Sequence, residues 1–331
     1  MKINQTIGID VSKLTLDVCI HTTQNHQVFE NTLKGFKQLI KWVEKNNPIA
    51  KEQTLFILEY TGMYSEQLSL FLEKNNIHFA LIPGLEIKKS LGISRGKNDK
   101  VDARKIALYG YRLREELEPT KLSSKSVKKL KRMLTLRERL VKQRAGHKAT
   151  LKEQKRIYTK KEDKLLLEVQ EQTIKFLSKK IDKINVEMQK IVKEDSLLKQ
   201  QYDLIISIKG VGPQTALFML VTTNGFTKFN AWRKFASYCG IAPFPNSSGT
   251  SIRGKTKVNN LANKKLKKLL DLCAKSAIQH NREMKIYYNN RIEKGKNKMS
   301  TINIIRCKLL ARIFATIKRK TPYVDIFKYA A

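Results

Sequence analysis

Apolar and polar positions alternate from the start of the chain. In TIGIDVSKLTLDVCIH, residues 6–21, Leu14, Leu16, Val18 and Ile20 share one face by the two-residue period, which predicts two strands joined by a tight turn. GFKQLIKWVEK follows with Phe36, Leu39, Ile40 and Val43 at helical spacing. TLFILEY is a short apolar strand ending at Glu59; YSEQLSLFLEKNN is a helix, IHFALIP a strand and DKVDARKIALYGYRL a helix. Strands in hairpin order and then alternating with helices predict an α/β domain over 1–118, a mixed sheet flanked by helices.

The period then changes. Ile174, Leu177, Ile181, Ile184, Met188 and Ile191 are spaced 3, 4, 3, 4, 3, a coiled-coil seam. Val127 to Ile157 is helical and more basic, so 119–203 is expected to form an antiparallel helical hairpin. Such a hairpin offers a dimer seam, a basic flank or both, or serves as a plain spacer. The remaining 204–331 reads as mainly α. LIISIKGVGPQTALFML places Gly210, Gly212 and Pro213 between two apolar helices, in the manner of a helix-hairpin-helix. There the glycines either bring backbone N–H groups to a phosphate or make a structural turn between core helices.

Charge sharpens this division. The 331 residues carry 66 Lys plus Arg against 29 Asp plus Glu, a formal net charge of +37. Such an excess suits a polyanion, because each neutralised phosphate releases counterions, and nucleic acid is the expected partner. Residues 1–118 hold 17 bases and 14 acids, 121–164 hold 17 and 4, and 253–320 hold 20 and 3. The first third is therefore built for something other than gripping phosphates. No apolar run approaches the ~18 residues of a spanning helix. Cys19, Cys239, Cys273 and Cys307 are scattered without a metal-ligand spacing, so reduced thiols in a cytoplasmic protein are expected.

The candidate chemistry lies in the acids. Asp99 and Asp102 lead a helical stripe continued by Ile106 and Tyr109, which should lie on the sheet. Two carboxylates entering a packed interface repel and lose solvation unless a cation sits between them. Asp10 ends the first strand and Glu59 a later one; if those strands are neighbours, four acids converge at one sheet end. An all-carboxylate site suits Mg2+ or Mn2+, and a pair of ions ~4 Å apart can clamp a phosphodiester. Asp17 alternates with an apolar face and is expected to point to solvent. Farther on, PNSSGTSIRGK reads by composition as a polar turn, although Ser248 before Gly249, with Arg253, Lys255 and Lys257 following, suits a phosphate.

IGIDVSK, LEYTGMY and KNDKVDARKIA, in this order, resemble the signatures of the DEDD transposases of bacterial insertion sequences. IKGVGPQTA, FASYCGIAPFPNSSGTSIRGK and NNLANKKLKKLL are similar to that family's C-terminal transposase domain, so the likeness spans nearly the whole chain. The resemblance implies a ribonuclease-H or RuvC-like N-terminal domain whose metal-binding catalytic acids are Asp10, Glu59, Asp99 and Asp102. It implies a nucleophilic serine at Ser248, with Ser247 the alternative one residue away, and a covalent phosphoserine–DNA intermediate formed at a site shared with the acids. Gly210, Gly212, Arg253, Lys255 and Lys257 become candidate nucleic-acid contacts. Donor and target DNA, a structured guide ("bridge") RNA and a second copy of the chain through the helical middle become the expected partners. A metal-dependent junction nuclease using activated water, and a site-specific DNA invertase of the same family, stand as alternatives.

Overall fold

The computed structural model describes residues 2–90, 92, 98–159, 162–249 and 251–325, with 252 and 253 described by backbone alone. Two compact units result, residues 1–122 and 123–331.

In the first unit, β1 (Gln5–Val11), β2 (Thr15–Ile20) and β3 (His26–Glu30) form an antiparallel meander. Then come α1 (Leu33–Asn46), β4 (Thr54–Glu59), α2 (Glu66–Lys74), β5 (Phe79–Ile82), α3 (Gly84–Ser90) and α4 (Asp99–Arg112). The sheet order is β3-β2-β1-β4-β5, with β4 parallel to both β1 and β5, so β1 is the central strand.

Both faces of this sheet are covered. Ile7, Ile9 and Val11 of β1 join Leu16, Val18 and Ile20 of β2 beneath Phe36, Leu39 and Val43 of α1 and Leu68 and Leu72 of α2. On the other face Leu55, Ile57 and Ile82 pack with Ile106 and Tyr109 of α4 and Ile87 of α3. Each such side chain contributes about 1.5–3 kcal/mol by leaving water. Leu14 departs from the expected strand face: it lies ahead of β2 and is 72 % exposed. Ser12 closes the turn there, its Oγ accepting from the Thr15 amide at 2.9 Å, so β2 starts one residue after Leu14.

The second unit begins with α5 (Lys125–Ile157) and α6 (Lys164–Glu194). Lys129 meets Glu187, Arg137 meets Asn185 and Arg144 meets Ser178, a descending series that makes the pair antiparallel. Leu177, Ile181, Met188 and Ile191 of the expected seam are buried. Toward the hairpin's far end polar contacts replace apolar ones, His147 Nδ1 lying 2.8 Å from Gln170 Oε1. Next come α7 (Ser196–Ile206), α8 (Pro213–Thr222), α9 (Trp232–Tyr238), β6 (Pro243–Ser248) and β7 (Ile252–Val258). The chain then runs through α10 (Lys264–His280), α11 (Arg282–Glu293) and α12 (Lys298–Arg319). The base of the long hairpin shares one core with these helices: Val127, Leu130, Leu134 and Met188 pack with Leu220, Phe235, Leu270 and Leu309. β6 and β7 form a separate two-stranded sheet.

Candidate active site

A close approach of α4 to β1 sets the position of the acids. Thr6 Oγ1 donates to the Ala107 carbonyl at 2.8 Å. A Cβ on Gly8 would overlap the Ala103 carbonyl oxygen and the Ala107 amide nitrogen, so only glycine lets the helix lie this close. Two residues of strand advance about 6.7 Å and four residues of helix about 6 Å. Stepping from Thr6 to Gly8 to Asp10 therefore keeps pace with stepping from Ala107 to Ala103 to Asp99. One carboxylate oxygen from each of Asp10, Asp99 and Asp102 falls within 4.8 Å of the others.

Glu59 arrives from the neighbouring strand. Ile9 pairs with Leu58 in the parallel β1–β4 register, so Glu59 stands in the row beside Asp10. Leu55 and Ile57 belong to the core under α4, and alternation places Glu59 on that same face. Its carboxylate occupies the space that a side chain at Gly84, the first residue of α3, would need.

This concentration of charge shows in Asp10, whose pKa is pushed up to about 6. Burial is the largest cause, followed by the negative charges of Glu59, Asp99, Asp102 and Asp17. Two features offset the repulsion. Asp99 and Asp102 lie in the first turn of α4, where helix N–H groups favour anions by about 0.3–1 kcal/mol each. Lys105 Nζ also lies 3.1 Å from Asp102 Oδ1. Asn98 caps the helix, its Oδ1 accepting from the Lys100 amide at 3.0 Å. The donor set fits a hard divalent cation: every candidate ligand atom is a carboxylate oxygen, and burial together with the neighbouring acids makes a lone negative charge at Asp10 costly without a cation.

Asp17 corrects an expectation. It faces Asp10 directly across the β1–β2 pair, is only 9 % exposed, and lies 3.0 Å from His26 Nε2. Alternation set it opposite Leu16 and Val18, but that opposite face is covered by α4 and is not open to water. Gly8, Gly84, His26 and Lys105 thus shape the site although the sequence reading did not single them out; a glycine two residues before Asp10 on the same strand face is the signal that could have pointed to the close approach of α4.

The serine lies in the second unit. Ser248 ends β6 and pairs with Ile252, Ser247 pairs with Arg253, and both serines are exposed. Gly249 follows at φ +52°, with nothing within 4 Å of where its Cβ would be. Lys255 and Lys257 are exposed on β7; Arg253 is placed by its backbone, and its side chain lies outside the described residues. The two glycines before α8 play different parts. Gly210 has φ +96° and sits against Ala277, whose Cβ would be 2.7 Å from an added Cβ, so packing and backbone conformation both require it. Gly212 caps α8 in an extended conformation with open space around it, and its amide lies against the buried Cys273 thiol.

Comparison with known proteins places the chain among transposase-like sequences. Residues 7–157 match a DEDD-type family of the IS110 group, described as Transposase, and residues 202–289 match the family described as Transposase IS116/IS110/IS902. The chain is 30 % identical over 328 residues to the pilin gene-inverting protein of Moraxella bovis, covering 96 % of this chain and 97 % of that protein. The pilin gene-inverting protein of Moraxella lacunata matches at the same identity and coverage. An insertion element IS110 protein of 43.6 kDa from Streptomyces coelicolor is 31 % identical over 120 residues, 36 % of this chain and 29 % of that one.

Proposed function

The chain belongs to the IS110 family of transposases and is a DNA transposase/recombinase; from that premise we propose how its residues cut and rejoin DNA. The observation that carries the reading is the convergence of Asp10, Asp99 and Asp102, with Glu59 alongside, at one end of the β3-β2-β1-β4-β5 sheet.

Asp10, Asp99, Asp102 and Glu59 would hold a divalent cation, Mg2+ or Mn2+, which when bound would supply positive charge for the phosphate oxygens as negative charge builds on them. Ser248 Oγ forms the new bond to phosphorus while the bond from phosphorus to the leaving sugar oxygen breaks. The leaving oxygen gains one proton for the one the serine gives up. Attack by another sugar hydroxyl on the phosphoserine reverses both changes, so the strand is rejoined without an energy source. The reading requires the acids and the serine to act on one scissile phosphodiester, with donor and target DNA present.

The rest of the chain supports recognition of shape and charge. Its bases are mostly lysines spread along helices, which suits nucleic-acid backbone more than base edges. This favours a structured guide RNA that pairs with donor and target, in the division of labour used by other RNA-guided proteins. Gly210, Gly212, Arg253, Lys255 and Lys257 are the proposed nucleic-acid contacts, and a second copy joins through the α5–α6 hairpin. Among the described residues no helix is long and apolar enough to cross a membrane, and the proposed place of action is the bacterial cytoplasm.

A denaturing gel tests the chemistry. Protein, guide RNA and both DNAs are expected to give a detergent-resistant protein–DNA adduct, present in Ser247→Ala and lost in Ser248→Ala. Cut DNA without an adduct, with Ser248→Ala still active, would instead establish water as the nucleophile. The full-length match to two pilin gene-inverting proteins favours a second reading of the outcome, inversion of a DNA segment between two sites. A reporter flanked by the sites in opposite orientation separates inversion from insertion.

A further inference from the structure

Among the described residues the β6–β7 ribbon is largely open to solvent. All six residues of β6 are exposed, as are Gly254, Lys255, Thr256 and Lys257 of β7. A lone two-stranded ribbon is marginal in water, so a partner that covered this one would stabilise it.

The stem, by contrast, is firmly held. Asn303 Nδ2 of α12 donates to the Ile241 carbonyl at 2.8 Å, and the Asn263 amide donates to the Tyr238 carbonyl at 2.8 Å. Ile241 is fully buried, and Gly240, at φ +66°, leaves no room for a Cβ beside Ala262. The blade alone lacks support.

Charge identifies the partner. Between Asp203 and Asp271 the chain contains no acid at all, and it carries 11 Lys and Arg over those 67 residues. Lys255 and Lys257 project from the same face of β7, two residues or about 6.7 Å apart, a spacing that matches the step between successive phosphates of one strand. A two-stranded ribbon also fits the major groove of B-form DNA, whereas the deep, narrow major groove of an RNA duplex excludes it.

We propose that the β6–β7 ribbon is a duplex-DNA grip that lies along one strand, with Lys255 and Lys257 on consecutive phosphates. Gripping the duplex and attacking it are separate properties of one hairpin. The inference rests on the proposed role of Lys255 and Lys257 as nucleic-acid contacts and narrows it to the backbone of duplex DNA; from the nucleophile reading it borrows only the statement that this strand is the one Ser248 cuts.

Salt titration of binding to a fixed DNA duplex, followed by fluorescence anisotropy, tests the grip. The double variant Lys255→Gln, Lys257→Gln is expected to flatten the slope of log affinity against log salt by about 1.8, about 0.9 for each phosphate lost. A charge-matched control on α1, Lys37→Gln with Lys41→Gln, should leave the slope unchanged, as should Ser248→Ala. An unaltered slope in the Lys255, Lys257 variant overturns the proposal, as does an equal flattening by the control pair. Flattening on an RNA duplex but not on DNA also overturns it and assigns the ribbon to the guide. A Ser248→Ala protein that still forms the adduct would defeat the nucleophile reading and leave the grip standing.

Discussion

Residues 1–118 carry 17 bases and 14 acids, while residues 204–270 carry 11 bases and no acid. The first unit brings like charges together under a covered sheet, where scaffolding from β1, β4 and α4 fixes each carboxylate before any substrate arrives. The second leaves its serine on a ribbon whose described residues are mostly exposed, in a stretch of chain that carries bases and no acid. Preorganisation is thus concentrated where repulsion must be overcome, and freedom is left where the substrate itself supplies the missing contacts. Substitutions in the first unit should therefore damage chemistry or folding, and those on the ribbon should damage DNA handling.

Asp10→Asn gives the sharpest separation. Strand exchange should fall by on the order of 10³-fold while DNA affinity stays within about two-fold, measured on one preparation by a plasmid recombination assay and by anisotropy. A parallel loss of binding would erase the contrast between the units.

Gly8→Ala comes next. The new methyl drives into the α4 backbone at Ala103 and Ala107, an overpacking that costs about 1–3 kcal/mol. Chemical denaturation should show the first unit unfolding earlier and the second unchanged.

The Gly-Val-Gly turn allows the same comparison within the second unit. Gly210→Ala, at φ +96° and against Ala277, should destabilise by about 1–3 kcal/mol. Gly212→Ala, at φ −92° with open space, should stay within about 0.5 kcal/mol. Equal losses at both positions would show that the turn senses more than packing.

The smallest effect is one of pH. Asp10 titrates at about 6 in the folded chain against 3.8 for the ordinary carboxyl. The folded state holds the extra proton between these values, so stability falls as pH rises through this window, and the penalty is complete above about 6. Without divalent ions, Asp10→Asn should therefore stabilise the first unit at pH 7.5 and have no effect near pH 4. Asp10 is only partly buried, so the gain is on the order of 1 kcal/mol after discounting for solvent screening. Added Mg2+ should raise the melting temperature of the parent and not that of the variant.

The acids were legible because strand ends and a helix start can be placed by period alone, and Asp10, Glu59, Asp99 and Asp102 sit at those ends. The mixed sheet followed from the same periods. Asp17 was misjudged because alternation reports which positions share a face, not whether that face meets water, and α4 covers it. The ribbon around Ser248 left no trace as strands: PFPNSS has no buried face, so no apolar alternation marks it. The shared core of the helical hairpin and the C-terminal helices was equally hidden, since a heptad seam tells where a helix packs but not which neighbours meet its root.

The fit of α4 on β1 works like a vernier. Strand steps of about 6.7 Å and helix steps of about 6 Å slip by about 0.7 Å at each division, so the two scales agree only near the mark where Thr6 meets Ala107. Asp10 lies two divisions from that mark, close enough for the slip to stay near 1.5 Å. Lengthening both elements would spread the carboxylates, and adding one residue to the first turn of α4 would swing Asp99 about 100° off the mark.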